Sequence, residues 1–494
     1  MKLKTLLKDI NGITIKGSKD IEITGICAHS KRVSPGNLFI AKAGKIDDGM
    51  RYIPEVIQAG ATAVLTDIYN PSLKNIVQVI YPDVASLEGL LAARYYGFPS
   101  NELLMIGITG TNGKTTTSFL VKHLLDKIGK SCGLMGTIEY IIGNHHYQAT
   151  HTTPDVTTNQ KMLREMVTQG CKAAVMEVTS HALDQRRVAY IDYDIAIFSN
   201  LTLEHLDYHQ SMENYCEAKR KLFLSLGNQP QSLKSYPKVA VVNGDSPWHH
   251  KMLEGTKALP FSYGIENHKV DLHASKIQLT AEGTRFDLNY KGEIISCFCP
   301  LVGRYNVYNS LAAIAVGLIA GEPLEKLVRL LQDFVPVVGR LEPVANTKEM
   351  KIYVDFAHTD DALSNVLECL QELKKDRIIT IFGCGGDRDK SKRPKMAKVA
   401  EELSDMCIVT SDNPRSEDPS VICQEIVKGF KNPSSHTVIL DRKKAIAHAL
   451  KIATKQDIIL IAGKGHERHQ IFAHKTVEFD DRKVAAELCE EIKE

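Results

Sequence analysis

Residues 103–117 constrain this chain more than any other stretch. The apolar run 103–108 reads as a buried strand and enters the turn G-T-N-G-K-T-T at 110–116. A helical pattern leaves it, with Phe119, Leu120, Leu124, Leu125 and Ile128 at three- and four-residue spacings. Strand, glycine-rich turn and helix together suit a bound phosphate. Gly110 and Gly113 let backbone N–H groups approach an anion, and the helix N-terminus adds its dipole. Lys114 can reach the outer phosphates of a nucleotide, and the Thr115 hydroxyl can ligate Mg²⁺. The usual P-loop pattern has a further glycine five residues before Gly113; here that position is Ile108.

A chain of 494 residues has room for about three domains. Its 43% hydrophobic content is ample for packed cores, and a net charge of +2 carries no nucleic-acid footprint. No apolar run approaches the ~18–20 residues that span a membrane, and the first residues lack the apolar core and cleavage site of a signal peptide. Eleven cysteines are scattered singly except for Cys297 and Cys299, which is neither a disulfide framework nor a zinc pattern. The expectation is a reduced, cytoplasmic, soluble protein that binds no nucleic acid and inserts in no membrane.

Before the turn, residues 1–98 read as mixed short strands and helices, with strands over 21–26 and 33–40 and a helix-then-strand over 56–64. Ser30 and Lys31 fall in the loop between the first two strands, where they suit either a diphosphate or plain turn chemistry. After the turn, the run 173–178 is a buried strand that delivers Glu177 near its carboxyl end, where open parallel sheets collect ligands. An acidic group there suits Mg²⁺ or a capped loop equally. The strand over 193–200 runs into a loop crowded with Glu204, His205, Asp207 and His209, a metal or phosphate candidate. Residues 212–223 are amphipathic and helical, and by spacing alone Lys219 is one more lysine in a basic run. Residues 268–300 alternate as antiparallel strands. Asn306 and Asn309, near the start of a helix expected over 310–320, read either as caps or as contacts to a nucleotide base.

From about residue 336 a second α/β pattern begins. Four strands, ending near Asp355, Gly383, Thr410 and Ala462, each deliver a charged or glycine-rich loop. That is how a doubly wound sheet builds a ligand site. Arg388, Arg415 and Glu467 in those loops suit a ligand carrying both carboxylate and ammonium groups.

The ordered motifs resemble the Mur ligase family over nearly the whole chain. They are G-T-N-G-K-T-T at 110–116, T-T-P at 152–154, E-V-T-S-H-A-L at 177–183, S-N-L-T-x-E-H-L-D-Y-H at 199–209 and E-A-K at 217–219. They continue with G-R-Y-N-V-Y-N-S at 303–310, G-R-L-E at 339–342, D-F-A-H-T at 355–359, G-C-G-G-D-R-D-K at 383–390, D-N-P-R at 412–415 and G-K-G-H-E at 463–467. The resemblance implies an α/β protein of three domains. A small mixed domain, 1–98, takes the UDP-substrate; a central P-loop ATPase with a parallel sheet spans 99–335; a doubly wound domain, 336–494, takes the incoming amino acid. It implies a monomer that uses ATP and Mg²⁺ to join meso-diaminopimelate to UDP-N-acetylmuramoyl-L-alanyl-D-glutamate through an acyl phosphate, in the synthesis of peptidoglycan precursor. Rival readings are the same ligase taking L-lysine, a folylpolyglutamate-synthetase-like ligase, and a nucleotide switch without turnover.

Carried over residue by residue, the resemblance places ATP on Gly110, Thr111, Asn112, Gly113, Lys114, Thr115 and Thr116, completed by Asn306, Arg340 and Asp355. It places Mg²⁺ on Thr115, Glu177, His205 and Lys219, the last as a carbamate (N6-carboxylysine), and puts His358 beside the reacting groups. Ser30, Thr152, Thr153, Thr179, Gln185 and Arg187 match contacts to the UDP-substrate. Arg388, Asp412, Asn413, Pro414, Arg415, Gly463 and Glu467 match contacts to the amino acid, with Arg415 suited to a distal carboxylate that lysine lacks. The chain departs from the family at His29-Ser30-Lys31, where D-S-R is usual, and at Glu204, Thr179 and Asp360, where Asp, Ser and Pro are usual.

Overall fold

Three β-sheets organise the chain in a computed structural model that describes residues 1–42, 48–229, 232–234, 237–280 and 282–491. The first has the strand order Thr14–Lys16, Val77–Ile80, Ala63–Thr66, Asn37–Ile40, Gly25–Cys27, all parallel except Thr14–Lys16. The strand expected over 21–26 is only Gly25–Cys27. Residues before it are claimed by the chain start instead, with Leu3 N donating to Ile21 O and Ile23 N to Met1 O.

The central sheet has eleven strands. Its parallel core runs Leu259–Gly264, Val239–Asn243, Ile195–Phe198, Leu104–Thr109, Ala173–Glu177, Cys132–Met135. Antiparallel ribbons extend both edges, and the 268–300 stretch forms one of them as Leu272–Thr280, Gly283–Tyr290 and Glu293–Cys299. Met105, Ile106 and Ile108 are fully buried because both faces of their strand are covered. Each contributes roughly 1.5–3 kcal/mol by leaving water. Helices Lys114–Lys127 and Arg304–Ile319 pack on one face; Val156–Thr168 and Met212–Ser225 pack on the other. The helix expected at 310 begins at Arg304, so Asn306 and Asn309 lie inside its first turns and the cap reading is excluded.

The third sheet has the order Glu342–Pro343, Lys351–Asp355, Ile458–Ala462, Ile378–Phe382, Met406–Val409, His436–Val438. All are parallel except the first. Helices Asp360–Leu373, Lys392–Leu403 and Pro419–Val427 cover one face, and Arg442–Ile452 with Asp481–Glu491 the other, which is the doubly wound arrangement expected. Among the described residues, no helix is long and apolar enough to cross a membrane.

Candidate active site

The strand Leu104–Thr109 lies between Ala173–Glu177 and Ile195–Phe198, so its turn opens at the carboxyl edge of the sheet. At Gly113 the backbone has φ 85°, and a Cβ would stand 2.4 Å from Asn309 Oδ1; only glycine suits both demands. The next strand stiffens the turn. Thr111 N donates to Asn200 O (2.9 Å), Asn112 N to Asn200 Oδ1 (2.8 Å) and Ser199 Oγ to Asn112 O (2.6 Å). Lys114 is folded over the turn, donating to Gly110 O and Thr111 O at 2.7 Å each, and burial lowers its pKa.

Glu177 is fully buried at its strand end. Its carboxylate accepts from three neutral donors: Thr115 Oγ1 (3.0 Å), Thr137 N (3.0 Å) and Thr137 Oγ1 (2.8 Å). Lys219 comes in from the helix Met212–Ser225, 1% exposed. Its Nζ donates to Gly110 O at 2.8 Å and stands 4.5 Å over the Tyr215 ring. The other deeply buried lysines, Lys238 and Lys464, are ion-paired with Asp192, Asp194 and Glu467. Among the described residues no carboxylate pairs with Lys219, and burial, reinforced by the Lys114 ammonium, holds its pKa well below the usual lysine range. The surface reading of Lys219 by spacing alone is therefore wrong for this fold.

His205 follows in a left-handed conformation (φ 57°), its ring edge-on to His181 at 4.8 Å. Burial, with His181 and Lys219, pushes its pKa down to about 3, so it is a neutral imidazole at pH 7. Glu204 beside it bridges two domains, with Oε2 3.7 Å from His205 Nε2 and Oε1 4.0 Å from His358 Nε2. Burial also lowers His358, to about 4, and its Nδ1 lies 2.9 Å from Phe356 O.

The Glu177 carboxylate, the Thr115 hydroxyl and the neutral His205 imidazole suit Mg²⁺ only if phosphate oxygens and water complete its coordination, and Lys219 would add a ligand only as a carbamate. Among the described residues, no three His, Cys, Asp or Glu side chains converge to hold a metal ion by themselves.

A cavity of about 400 Å³ opens beside the turn, walled by Gly113, Thr116, Asn306, Arg340 and Asp355 among others. Asn306 Nδ2 donates to Val302 O (2.9 Å), while its Oδ1 accepts from Asn309 Nδ2 (2.9 Å). Arg340 crosses from the third domain to Thr115, Nη2 to Oγ1 at 3.2 Å, and its buried Nε has no hydrogen-bond partner among the described residues. That orphaned donor at a cavity wall fits an anionic or hydroxyl-bearing ligand. Asp355 accepts from Leu341 N (2.6 Å) and Ala357 N (2.7 Å), with burial raising its pKa. Asp361, which spacing did not single out, reaches back to Asn112 Nδ2 and Thr202 Oγ1.

The candidates for the UDP-substrate divide. Thr152, Thr153, Thr179, Gln185 and Arg187 join one network below Glu177. Thr152 Oγ1 lies 3.1 Å from Thr137 Oγ1; Thr153 Oγ1 donates to Glu177 O (2.8 Å); Thr179 Oγ1 caps the helix Ser180–Asp184. Arg187 ties Gln185 Oε1 (2.6 Å) to Thr153 O (3.1 Å). Thr153 is 1% exposed, so its hydroxyl holds the strand end rather than an open surface. Ser30 stands apart, half-buried in the short turn Ser30–Arg32 of the first domain.

In the third domain, Gly463 and Glu467 follow one strand and Arg388 and Asp412-Asn413-Pro414-Arg415 follow two others, all at the same sheet edge. Asp412, Asn413 and Pro414 are buried, and Asn413 is consumed by the scaffold. It donates to Glu467 Oε2 (2.7 Å) and accepts from Lys464 Nζ (3.0 Å) and Ile471 N (3.0 Å). Of the candidate residues, Arg388, Arg415 and Glu467 are the accessible charged ones, and Asp387 is exposed beside Arg388.

The chain matches the Mur ligase middle domain over residues 108–317, the Mur ligase glutamate ligase domain over 339–465 and the Mur ligase family catalytic domain over 22–96. The UDP-N-acetylmuramoyl-L-alanyl-D-glutamate--2,6-diaminopimelate ligase of Chlamydia felis is 45% identical over 493 residues, 99% of each chain. The protein of that name from Syntrophomonas wolfei is 41% identical over 490 residues, again 99% of each. A solved structure of a ligase of that name aligns with a TM-score of 0.70 at 31% identity, covering 99% of both chains. MurF from Acinetobacter baumannii aligns at 0.67 with 18% identity over 95% of this chain and 94% of that one, a likeness of fold alone. With three segments matched in order and nearly its full length shared with these relatives, the chain belongs to the Mur ligase family.

Proposed function

We propose that the chain joins meso-diaminopimelate to UDP-N-acetylmuramoyl-L-alanyl-D-glutamate, with ATP hydrolysed to ADP and phosphate. We assign the UDP-substrate to 1–98 with the near face of the middle domain, ATP to 99–335 and the amino acid to 336–494. A carboxylate is a poor electrophile. Its oxygen attacks the γ-phosphorus of ATP and ADP departs; the amine then attacks the acyl phosphate carbon, loses a proton and expels phosphate. Lys114 and the turn N–H groups hold the phosphates, and Arg340 reaches the same end from the third domain.

Thr115, Glu177 and His205 would hold Mg²⁺ together with phosphate oxygens, and the ion would neutralise charge on the transferring phosphoryl group. Burial disfavours the Lys219 ammonium and so favours the free amine, the form that attacks CO₂ and sheds a proton to become a carbamate. In that position the carbamate anion would face Lys114, which shares the Gly110 carbonyl with it.

The observation that carries the choice of amino acid is the pair Arg388 and Arg415. Burial first, then the neighbouring Arg415 charge, lowers the Arg388 pKa. Two cations held this close favour an incoming carboxylate. Phosphate release is the test, with ATP, Mg²⁺ and UDP-substrate supplied alongside meso-diaminopimelate, L-lysine or no amino acid. Release with meso-diaminopimelate alone, lost in Arg415→Ala, is expected; equal release with L-lysine defeats the assignment.

A further inference from the structure

Arg388 and Arg415 sit on different loops, 27 residues apart by their numbering, and repel each other. Both flank Gly385: a Cβ there would stand 2.8 Å from Arg415 Nη1 and 3.8 Å from Arg388 Cγ. Something must hold the loops together before any carboxylate arrives. Direct contacts do part of this, with Gly386 N donating to Asn413 O (2.9 Å), Arg415 Nη1 to Gly386 O (2.7 Å) and Ser416 Oγ to Asp387 Oδ1 (2.5 Å).

The larger tie lies beneath. Arg393, on the helix Lys392–Leu403, has a fully buried side chain. Its guanidinium grips Glu417 through both terminal nitrogens, Nη1 to Oε2 and Nη2 to Oε1 at 3.0 Å each, and also reaches Glu425 Oε2 (2.6 Å) and Gly385 O (3.3 Å). Glu417 Oε1 in turn accepts from Asp387 N at 2.7 Å. One ion pair thus touches the first loop at Gly385 and Asp387 and the second at Glu417, two residues past Arg415. It also occupies the carboxylate nearest in sequence to Arg415, so that Glu417 does not neutralise the arginine it supports. The Arg393 contact is the main reason the Glu417 carboxyl is depressed to about 2, and it stays ionised throughout the working range.

We propose that Arg393 and Glu417 are positioning residues for amino-acid selection: their ion pair locks the two arginine-bearing loops so that Arg388 and Arg415 are held around Gly385 at one amino-acid site, with Arg415 placed for the distal carboxylate of the incoming diamino acid. This rests on the ligase reading above. Arg393 is fully buried beneath the loops, so the effect passes through Arg388 and Arg415 to the amino-acid site.

The test is steady-state kinetics of the full chain, varying meso-diaminopimelate, ATP and UDP-substrate in turn, for wild type, Glu417→Gln, Arg393→Met and Arg393→Lys. Loss of the two-pronged charge-assisted contact predicts a rise in the KM for meso-diaminopimelate of at least about tenfold in Glu417→Gln and Arg393→Met. The KM for ATP should stay within about twofold, the preference over L-lysine should fall in step, and Arg393→Lys should recover part of the loss. Should Arg393→Met fail to fold, the isosteric Glu417→Gln carries the test. An unchanged KM for meso-diaminopimelate, or an equal rise in all three KM values, overturns the inference. A wild type that uses L-lysine equally well overturns the diaminopimelate assignment instead and leaves the ligase, and the two failures are distinct.

Discussion

Lys219 shows how much a single residue's meaning depends on what surrounds it. Burial without a carboxylate partner is costly for an ammonium, and the cost disappears if the amine is neutral or has become an anion facing Lys114. The chain incubated with ¹³C-bicarbonate should give a carbamate carbonyl signal by NMR that is absent in Lys219→Arg. A wild-type spectrum without that signal would exclude the modification. Glu177 makes a similar point with opposite charge. Three neutral hydrogen-bond donors hold its carboxylate in place without cancelling its charge, which leaves that charge for a cation. Its candidacy was readable from the end of an apolar run, but the Thr137 contribution was not, because nothing in the spacing links residues forty positions apart.

At the scale of elements, the loops after parallel strands carry nearly all the candidate site residues, and their rigidity comes from buried polar ties. Arg442 donates to both oxygens of Asp481 at 2.7 Å and to Ala462 O at 3.0 Å, which fixes two helices against the strand that launches Gly463. In the same loop the His466 ring packs 5.0 Å from the Phe356 ring, and its buried Nδ1 has no hydrogen-bond partner among the described residues. Burial first, then Arg340, pushes its pKa down to about 3. The unfolded state, with an ordinary histidine pKa of about 6.5, then binds more protons than the folded state across the interval between the two values. The stability from neutral His466 is therefore full above about pH 6.5 and declines as pH falls toward 3. The thermal midpoint should drop less between pH 7.5 and pH 5 in His466→Gln than in wild type. Parallel drops in the two proteins would show that His466 is not responsible.

For the whole molecule, the decisive feature is that the middle and third domains share one site. Arg340 meets Thr115, Glu204 faces His358, and Asp361 bonds Asn112 and Thr202. Sites assembled this way close around their substrates and depend on the docking geometry. Asp361→Ala removes contacts to both Asn112 and Thr202. With about 1–3 kcal/mol lost, the KM for ATP should rise by roughly tenfold or more while the thermal midpoint moves little. A nucleotide KM equal to that of wild type would mean the docking does not depend on Asp361.

Sequence alone determined the chemistry that is local to one turn or one motif. The glycine-rich turn, the acidic strand end, the arginine-bearing loops and the change of pattern near residue 336 are all written in short-range spacing, because strand and helix periods and turn residues are local properties. Only the tertiary structure decided which of those groups share a site and in what protonation state. The burial of Lys219, the Arg393–Glu417 tie, the orphaned Arg340 Nε and the enclosure of Asn306 within a helix rather than at its cap all arise from packing between distant segments. Desolvation and long-range hydrogen bonds leave no periodic trace in a chain.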